Sequence, residues 1–398
     1  MNHTPASPPW APVSSGERYG DLDVLRGVAL LGVLLVNLLT LFRVSLFEHI
    51  LNFHTHPGLA NRAVDILAAW LLEFKAFTLF SFLFGVGVCI QAERARSHTV
   101  SASRFLARRF AILLAIGLFH MFLIWNGDIL TLYAVCGLLL LPLVGRPVWL
   151  LVALGIAAIA LTFAPVFGLP FPAEAALRTH AAAATHIYAE GSFTEILALR
   201  WRETWQFIAP LLVGSLPKTF GLMLLGIAAW RAGILKNPAQ HRSFLWAVCF
   251  GAGITGAVST TLLVRSESTG LPPPVSPSLL QAVSHIPLAL AFGAGLLLWL
   301  SSTPAGPVRR SFAAAGQMAL SNYLAQSIIF SLLFYGFGFG LFGRLGPAVT
   351  ALIGIVVFAA QLAMSRLWLG RYRFGPAEWL WRSLTYGRRQ PLKVKREK

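Results

Sequence analysis

The sequence predicts an all-α integral membrane protein, a polytopic bundle of about ten transmembrane helices with both termini in the cytoplasm. Three observations lead there. Hydrophobic residues make up 56% of the 398-residue chain and charged residues only 12%, against roughly 25% charge in a soluble domain. Apolar runs near the roughly 20 residues that cross a bilayer recur along the chain, and mean hydropathy is +0.69. Lys and Arg collect in alternate connections between those runs, as the positive-inside rule requires. The alternating pattern of a membrane barrel is absent. The 35 glycines and 23 prolines are tolerable because neighbouring membrane helices re-satisfy freed backbone groups.

Taken in order, residues 1–22 are polar and proline-rich, with no basic stretch leading into an early apolar core, and read as a disordered cytosolic leader rather than a cleaved signal peptide. The transmembrane domain, 23–370, carries spans near 24–42, 76–92, 108–125, 128–145, 147–167, 206–229, 243–264, 277–300, 312–340 and 347–369. Segment 60–75 is either a re-entrant piece or an extension of the second span. One set of connections holds Arg94, Arg96, Arg104, Arg108, Arg109, Arg146, Arg231, Lys236, Arg242, Arg309 and Arg310, and the other is sparse. The outer loop 168–205 belongs to the sparse set, its Arg178, Arg200 and Arg202 offset by Glu174, Glu190, Glu195 and Glu203. Within it Ile196, Leu197, Leu199, Trp201 and Trp205 predict an interfacial helix that either seals the bundle or forms a lid or acceptor platform. The basic cytosolic tail, 371–398, has six basic residues and one Glu from Arg388 to Lys398, which points to anionic lipid headgroups at about 1 kcal/mol per residue near the surface.

The net charge of +17 is accounted for by those inner connections, and no nucleic-acid-binding motif accompanies it, so nucleic acid is not an expected partner. Cys89, Cys136 and Cys249 lie inside apolar runs without CxxC spacing. They predict packing residues and no metal site.

Ionisable groups inside spans are costly and mark candidate function. Arg26 opens the first span, as a snorkelling boundary charge or as the head of a polar stripe. Asn37 follows eleven residues later, about 16 Å along the helix and on the same face. Glu73 and Lys75 flank the start of the second span, where Gly85 and Gly87 favour close helix packing. His120 precedes a tight turn and Asp128 follows it. Together they suit a general base with an orienting carboxylate, although Asp128 could instead simply cap its helix. Lys218 and His285 are further candidates within the bundle. Asn322 and Gln326, with Gln361, either line a path or hold helices together. No Walker A, strand-borne GxGxxG, HExxH or GxSxG motif is present, which disfavours nucleotide hydrolysis, dinucleotide chemistry and soluble hydrolase sites.

The run from Arg18 through Asp23, Arg26 and Gly27 to Gly32, followed by Val36-Asn37, resembles the opening signature of the YeiB-like bacterial membrane proteins. Lys75 with Leu79-Phe80-Ser81 to Phe84-Gly85, Gly127-Asp128-Ile129-Leu130 with Tyr133-Ala134, Ala319 to Tyr323 with Gln326-Ser327, and Gly375-Pro376 with Glu378-Trp379-Leu380-Trp381-Arg382 are similar to its other motifs. That family is in turn distantly similar to the membrane acyltransferases, among them the lysosomal heparan glucosamine acetyltransferase and the bacterial sugar O-acyltransferases. The O-acyltransferases place a histidine eleven residues after an arginine equivalent to Arg26. Here that position is Asn37, as in the lysosomal branch, so a base must come from elsewhere, and His120 is the candidate.

The resemblance implies a multi-pass protein of the bacterial cytoplasmic membrane that moves an acyl group from a cytoplasmic acyl-CoA-type donor to a hydroxyl or amine at the outer face. Arg26 and Lys75 would bind the donor, with acyl-CoA a co-substrate and no permanently bound cofactor. His120, Asp128 and Asn37 would carry the chemistry. Asp23, Glu73, Lys218, His285, Asn322, Gln326, Glu378 and Arg382 would complete the polar seam. The same buried polar groups fit a transporter or channel for a small solute, and a non-catalytic scaffold is the third reading.

Overall fold

The computed structural model describes residues 20–51, 57–97, 101–162, 164, 174–269 and 277–393. Most of the predicted leader, the outer-loop residues 165–173 and the last tail residues 394–398 lie outside the described residues. The helices are α1 Gly20–Asn37, α2 Leu46–Leu51, α3 Leu59–Leu71, α4 Lys75–Ser97, α5 Ala102–Phe119, α6 Leu130–Leu140, α7 Val148–Leu161, α8 Glu174–Glu190 and α9 Phe193–Glu203. They continue with α10 Ala209–Arg231, α11 Arg242–Ala247, α12 Gly253–Thr269, α13 Pro277–Ser302, α14 Pro307–Gln317, α15 Ala319–Phe334, α16 Pro347–Leu369 and α17 Pro376–Tyr386. Among the described residues no strand forms beyond one isolated bridge between Tyr372 and Lys393.

Among the described residues, seven helical stretches are long and apolar enough to cross a membrane: Gly20–Phe42, Leu59–Ser97, Ala102–Ile124, Phe193–Arg231, Arg242–Ser266, Val283–Ser302 and Pro347–Leu369. Three of the predicted spans fall on shorter apolar helices, Leu130–Leu140, Val148–Leu161 and Ala319–Phe334. Large apolar side chains face outward on these helices, as with Leu352 and Val356 at 60% exposure on α16. In water such a face would be a liability, whereas in lipid it is solvated.

Two local differences from the sequence reading matter for the site. Segment 59–71 is a separate helix, α3, which breaks at Leu72–Phe74 before α4 begins, with Phe74 at φ 57. The residues 196–205, read as an interfacial helix leading into the sixth span, run into it as one 39-residue helical stretch, Phe193–Arg231. No glycine or proline lies between Phe193 and Ala209 to end it. A π turn at Thr204–Ile208 joins α9 to α10, just before Pro210.

Close backbone contacts lock pairs of helices. A Cβ at Gly85 of α4 would collide with the Met223 carbonyl of α10, and one at Gly226 of α10 with the Phe82 carbonyl of α4. Small residues thus let α4 and α10 touch backbone to backbone. Gly85→Ala should lower stability by about 1–3 kcal/mol through overpacking, read as a fall in the thermal unfolding midpoint in detergent. Gly251→Ala, where nothing lies within 4 Å of the added carbon, should leave it nearly unchanged, and equal midpoints for both variants would refute the locked contact.

Candidate functional site

A cavity of about 210 Å³ lies between α1, α4, α5, α6, α15 and α17. On α1 it is lined by Arg26, Leu30 and Val33, at i, i+4 and i+7 on one helix face. On α5 the lining residues Leu106, Arg109, Phe110 and Leu113 repeat that spacing. The short helix α17 adds Glu378, Trp381 and Arg382, so three arginines and one glutamate stand around one end. At the other end the wall is apolar, with Phe80, Leu83 and Leu130, and it closes on Tyr133 and Tyr323.

Each arginine has a partner in place. Arg26, with 28% of its side chain exposed, pairs with Asp23 at 2.8 Å. The Arg109 guanidinium lies 3.6 Å from the centroid of the Trp381 ring, a favourable cation–π contact, while the Trp381 indole donates to the Arg109 carbonyl at 2.9 Å. Arg382 sits over Phe374 at 4.7 Å. The positive charges of Arg382 and Arg26 both bear on Arg109. Glu378 does little to offset them, because its carboxylate caps α15. It accepts from the Leu320 and Ser321 N–H groups at 2.7 and 3.0 Å and from the Ser321 hydroxyl at 2.5 Å. Burial raises the Glu378 carboxyl above its ordinary range, against the downward pull of those bonds.

Behind Tyr323 lies a second polar cluster. Helix α5 ends in a π turn, His120–Ile124, closed by the Trp125 N–H on the His120 carbonyl at 2.8 Å. That turn swings the chain so that His120 Nδ1 meets Asp128 Oδ1 at 2.8 Å, both side chains fully buried. His120 Nε2 lies 2.9 Å from Ser327 Oγ. The other Asp128 oxygen accepts from the Thr131 N–H at 2.7 Å. One carboxylate therefore orients the imidazole and caps α6 together, the two roles the sequence left as alternatives. Tyr323 separates this cluster from the cavity: its ring centroid is 5.1 Å from that of His120, and its hydroxyl donates to the Gly127 carbonyl at 3.3 Å.

The remaining predicted residues sit elsewhere. Asn37 is half-buried on the Arg26 face of α1, about one turn past Val33, and does not line the cavity. Lys75 does not accompany Arg26. Its ammonium donates to the Ala69 carbonyl at 2.5 Å, because the break after α3 turns the first residue of α4 back onto an unpaired helix end. Glu73 meets His49 at 3.5 Å. Lys218 lies 5.2 Å from the Phe74 ring, and His285 stacks on the same ring at 4.6 Å. Asn322 donates to the Ala315 carbonyl and to Ser365, and Gln326 donates to Gln361, which returns a bond to the Asn322 carbonyl. These amides tie α15 to α16. Arg109 and Ser327 were the residues that sequence reasoning left unassigned.

The chain is similar to proteins of several bacteria. The family described as "Protein of unknown function (DUF418)" matches residues 229–388. The protein YxaH of Bacillus subtilis (strain 168), described as uncharacterized, is 34% identical over 96% of this chain and 98% of its own length. An uncharacterized 39.9 kDa protein from the amylase 3′ region of Bacillus acidopullulyticus is 30% identical over 97% of this chain and 99% of its own. The Escherichia coli (strain K12) protein YeiB, also described as uncharacterized, is 29% identical over 93% and 96%.

Removing the Glu378 cap tests how the arginine end is built. Glu378→Ala should cost about 0.5–2 kcal/mol as a lost cap, and Glu378→Gln, which keeps one carbonyl acceptor, should cost less. A carboxyl whose folded-state value lies above its unfolded one favours the fold at low pH, and that contribution is lost as pH rises through the folded-state value. Thermal melts across pH should therefore show a fall between the ordinary carboxylate range and that raised value, flatter in Glu378→Gln; identical profiles would contradict the burial.

Proposed function

The chain belongs to the DUF418 family, together with YxaH and YeiB, and from its geometry we propose that it is an acyltransferase of the bacterial cytoplasmic membrane. Ten helices cross the bilayer, both termini are cytoplasmic, and the arginine end faces the cytoplasm. The observation that carries this reading is a single cavity with Arg26, Arg109 and Arg382 at one end and an apolar interior that stops at Tyr323, in front of a buried His120–Asp128 pair. Its charge and shape suit an acyl-CoA-type donor. Planar guanidinium groups grip phosphate oxygens with paired hydrogen bonds, and the apolar interior accepts the acyl end.

In the neutral tautomer that donates Nδ1–H to Asp128, His120 presents a free-electron-pair nitrogen, Nε2, for proton removal. The attacking acceptor is a hydroxyl or amine reaching the histidine end from outside. Asn37, by its place on the Arg26 stripe, is the neutral donor for the oxyanion that develops on the carbonyl. Tyr323 must swing aside for acyl carbon and base to meet.

Calorimetry with coenzyme A should show binding that Arg26→Lys weakens about tenfold or more, and unchanged affinity would remove the arginine from the site. In an acyl-transfer assay His120→Ala should lose on the order of 10²-fold or more in turnover, with Asp128→Asn losing less. Uptake of a solute without any acylated product would favour the transporter reading over the enzyme. For the orientation, an impermeant thiol reagent on intact cells should modify a cysteine placed at Ser192 and spare one at Ser383; the opposite pattern would invert the protein.

A further inference from the structure

Ser327 occupies a position that its own helix makes informative. Leu320, Tyr323 and Ser327 stand at i, i+3 and i+7 along α15, so one helix face carries the cavity wall at Leu320 and Tyr323 and then, one turn deeper, the serine. Its Oγ is 2.9 Å from His120 Nε2, and His120 Nδ1 is 2.8 Å from Asp128 Oδ1. All three side chains are buried, Ser327 at 2% exposure. The residue 207 positions from His120 in sequence thus completes a hydroxyl–imidazole–carboxylate chain at hydrogen-bonding distances. In enzymes that use a serine nucleophile, this arrangement activates its hydroxyl. Ser327 also has a competing acceptor, the Tyr323 carbonyl at 3.3 Å, which is the longer of its two contacts.

We infer that Ser327 is a nucleophile that holds the acyl group as a serine ester between donor and acceptor. The inference rests on the acyl-transfer reading above and specifies its course. Ser327 Oγ bonds to the thioester carbonyl carbon as its proton passes to His120 Nε2. The carbon–sulfur bond breaks, and the leaving thiolate takes that proton to become the free thiol of coenzyme A. In the second half the acceptor hydroxyl or amine attacks the ester carbonyl and gives its proton to Nε2, which returns it to the departing Ser327 oxygen. No electrons are gained or lost. The donor can then leave by the arginine end before the acceptor engages at the histidine end, so the bundle never opens at both ends together.

The first half needs no acceptor, which makes it testable while the acceptor is unidentified. Purified protein in detergent is mixed with radiolabelled acetyl- or octanoyl-coenzyme A, released thiol is counted, and the acid-quenched protein is mapped by mass spectrometry. The expected result is a burst of about one thiol per protein with the acyl mass on the Ser327 peptide, resistant to neutral hydroxylamine as an oxygen ester is. Ser327→Ala, checked for a wild-type melting midpoint, should lose burst and label together. Ser327→Cys should keep the label in a form that neutral hydroxylamine removes, because it is then a thioester. A label on His120 or another residue overturns the inference, as does acyl transfer to an acceptor with no acyl-protein. Absence of both burst and label while coenzyme A still binds overturns the serine ester alone, and absence of coenzyme A binding as well takes the acyl-transfer reading down with it.

Discussion

The contact between His120 and Asp128 governs how this bundle is put together. An imidazole and a carboxylate, neither with any exposed surface, cannot borrow hydrogen bonds from water and must satisfy one another or cost several kcal/mol. Meeting that demand bends the end of α5 through a π turn and sets the start of α6 through the second Asp128 oxygen. The turn between them is then held from outside: Arg200 of α9 donates to the Ile124 carbonyl at 2.6 Å, and Asn126 donates to Glu203 at 3.1 Å. Glu203 also accepts from the Tyr188 hydroxyl at 2.6 Å. The long helix formed by α9 and α10 therefore clamps the turn between His120 and Asp128.

The arginine end obeys a different rule. Arg109 and Arg382 lean on the rings of Trp381 and Phe374, while Arg26 pairs with Asp23; a planar guanidinium can stack on a ring and still present donors in its own plane. Like charges gathered around one cavity repel, and the nearest carboxylates are already engaged, Asp23 by Arg26 and Glu378 by the first N–H groups of α15. In the proposed reading, an anionic donor bound there would relieve that repulsion and touch α1, α5 and α17 at once. One end of the cavity thus gathers positive charge, and the other ends before a buried, hydrogen-bonded cluster.

How much of this was legible in the sequence follows from what spacing can encode. The meeting of His120 with Asp128 needed only a short turn and could be read in advance, and the helix face that carries Arg26 and Asn37 follows from their spacing, although the cavity takes Arg26, Leu30 and Val33 from it and not Asn37. Arg109 could have been found as well, since Leu106, Phe110 and Leu113 share its face, but it was hidden among arginines that the positive-inside rule explains. Lys75 was misplaced because a helix break between Leu71 and Lys75 redirects its side chain, and the unusual φ of Phe74 leaves no clear mark in composition. Ser327 carried no signal beyond its place in a motif. Its partner lies on a distant part of the chain, and single-sequence periodicity gives the face of a residue without naming what that face meets.

The same packing bears on the choice between transfer and transport. Alternating access requires one group of helices to rock against another, yet the helix bearing Arg26 is pinned at the level of the cavity. A Cβ at Gly27 would strike the Phe312 carbonyl, and one at Gly316 the Asp23 carbonyl, so α1 and α14 lie backbone against backbone on both sides of the arginine. Helices α4 and α10 are locked in the same way through Gly85 and Gly226. Each locked pair can move only as one unit, and Tyr323 stands between the cavity and His120. Under the proposed acyl transfer, a group handed past Tyr323 would leave these packed helix pairs intact.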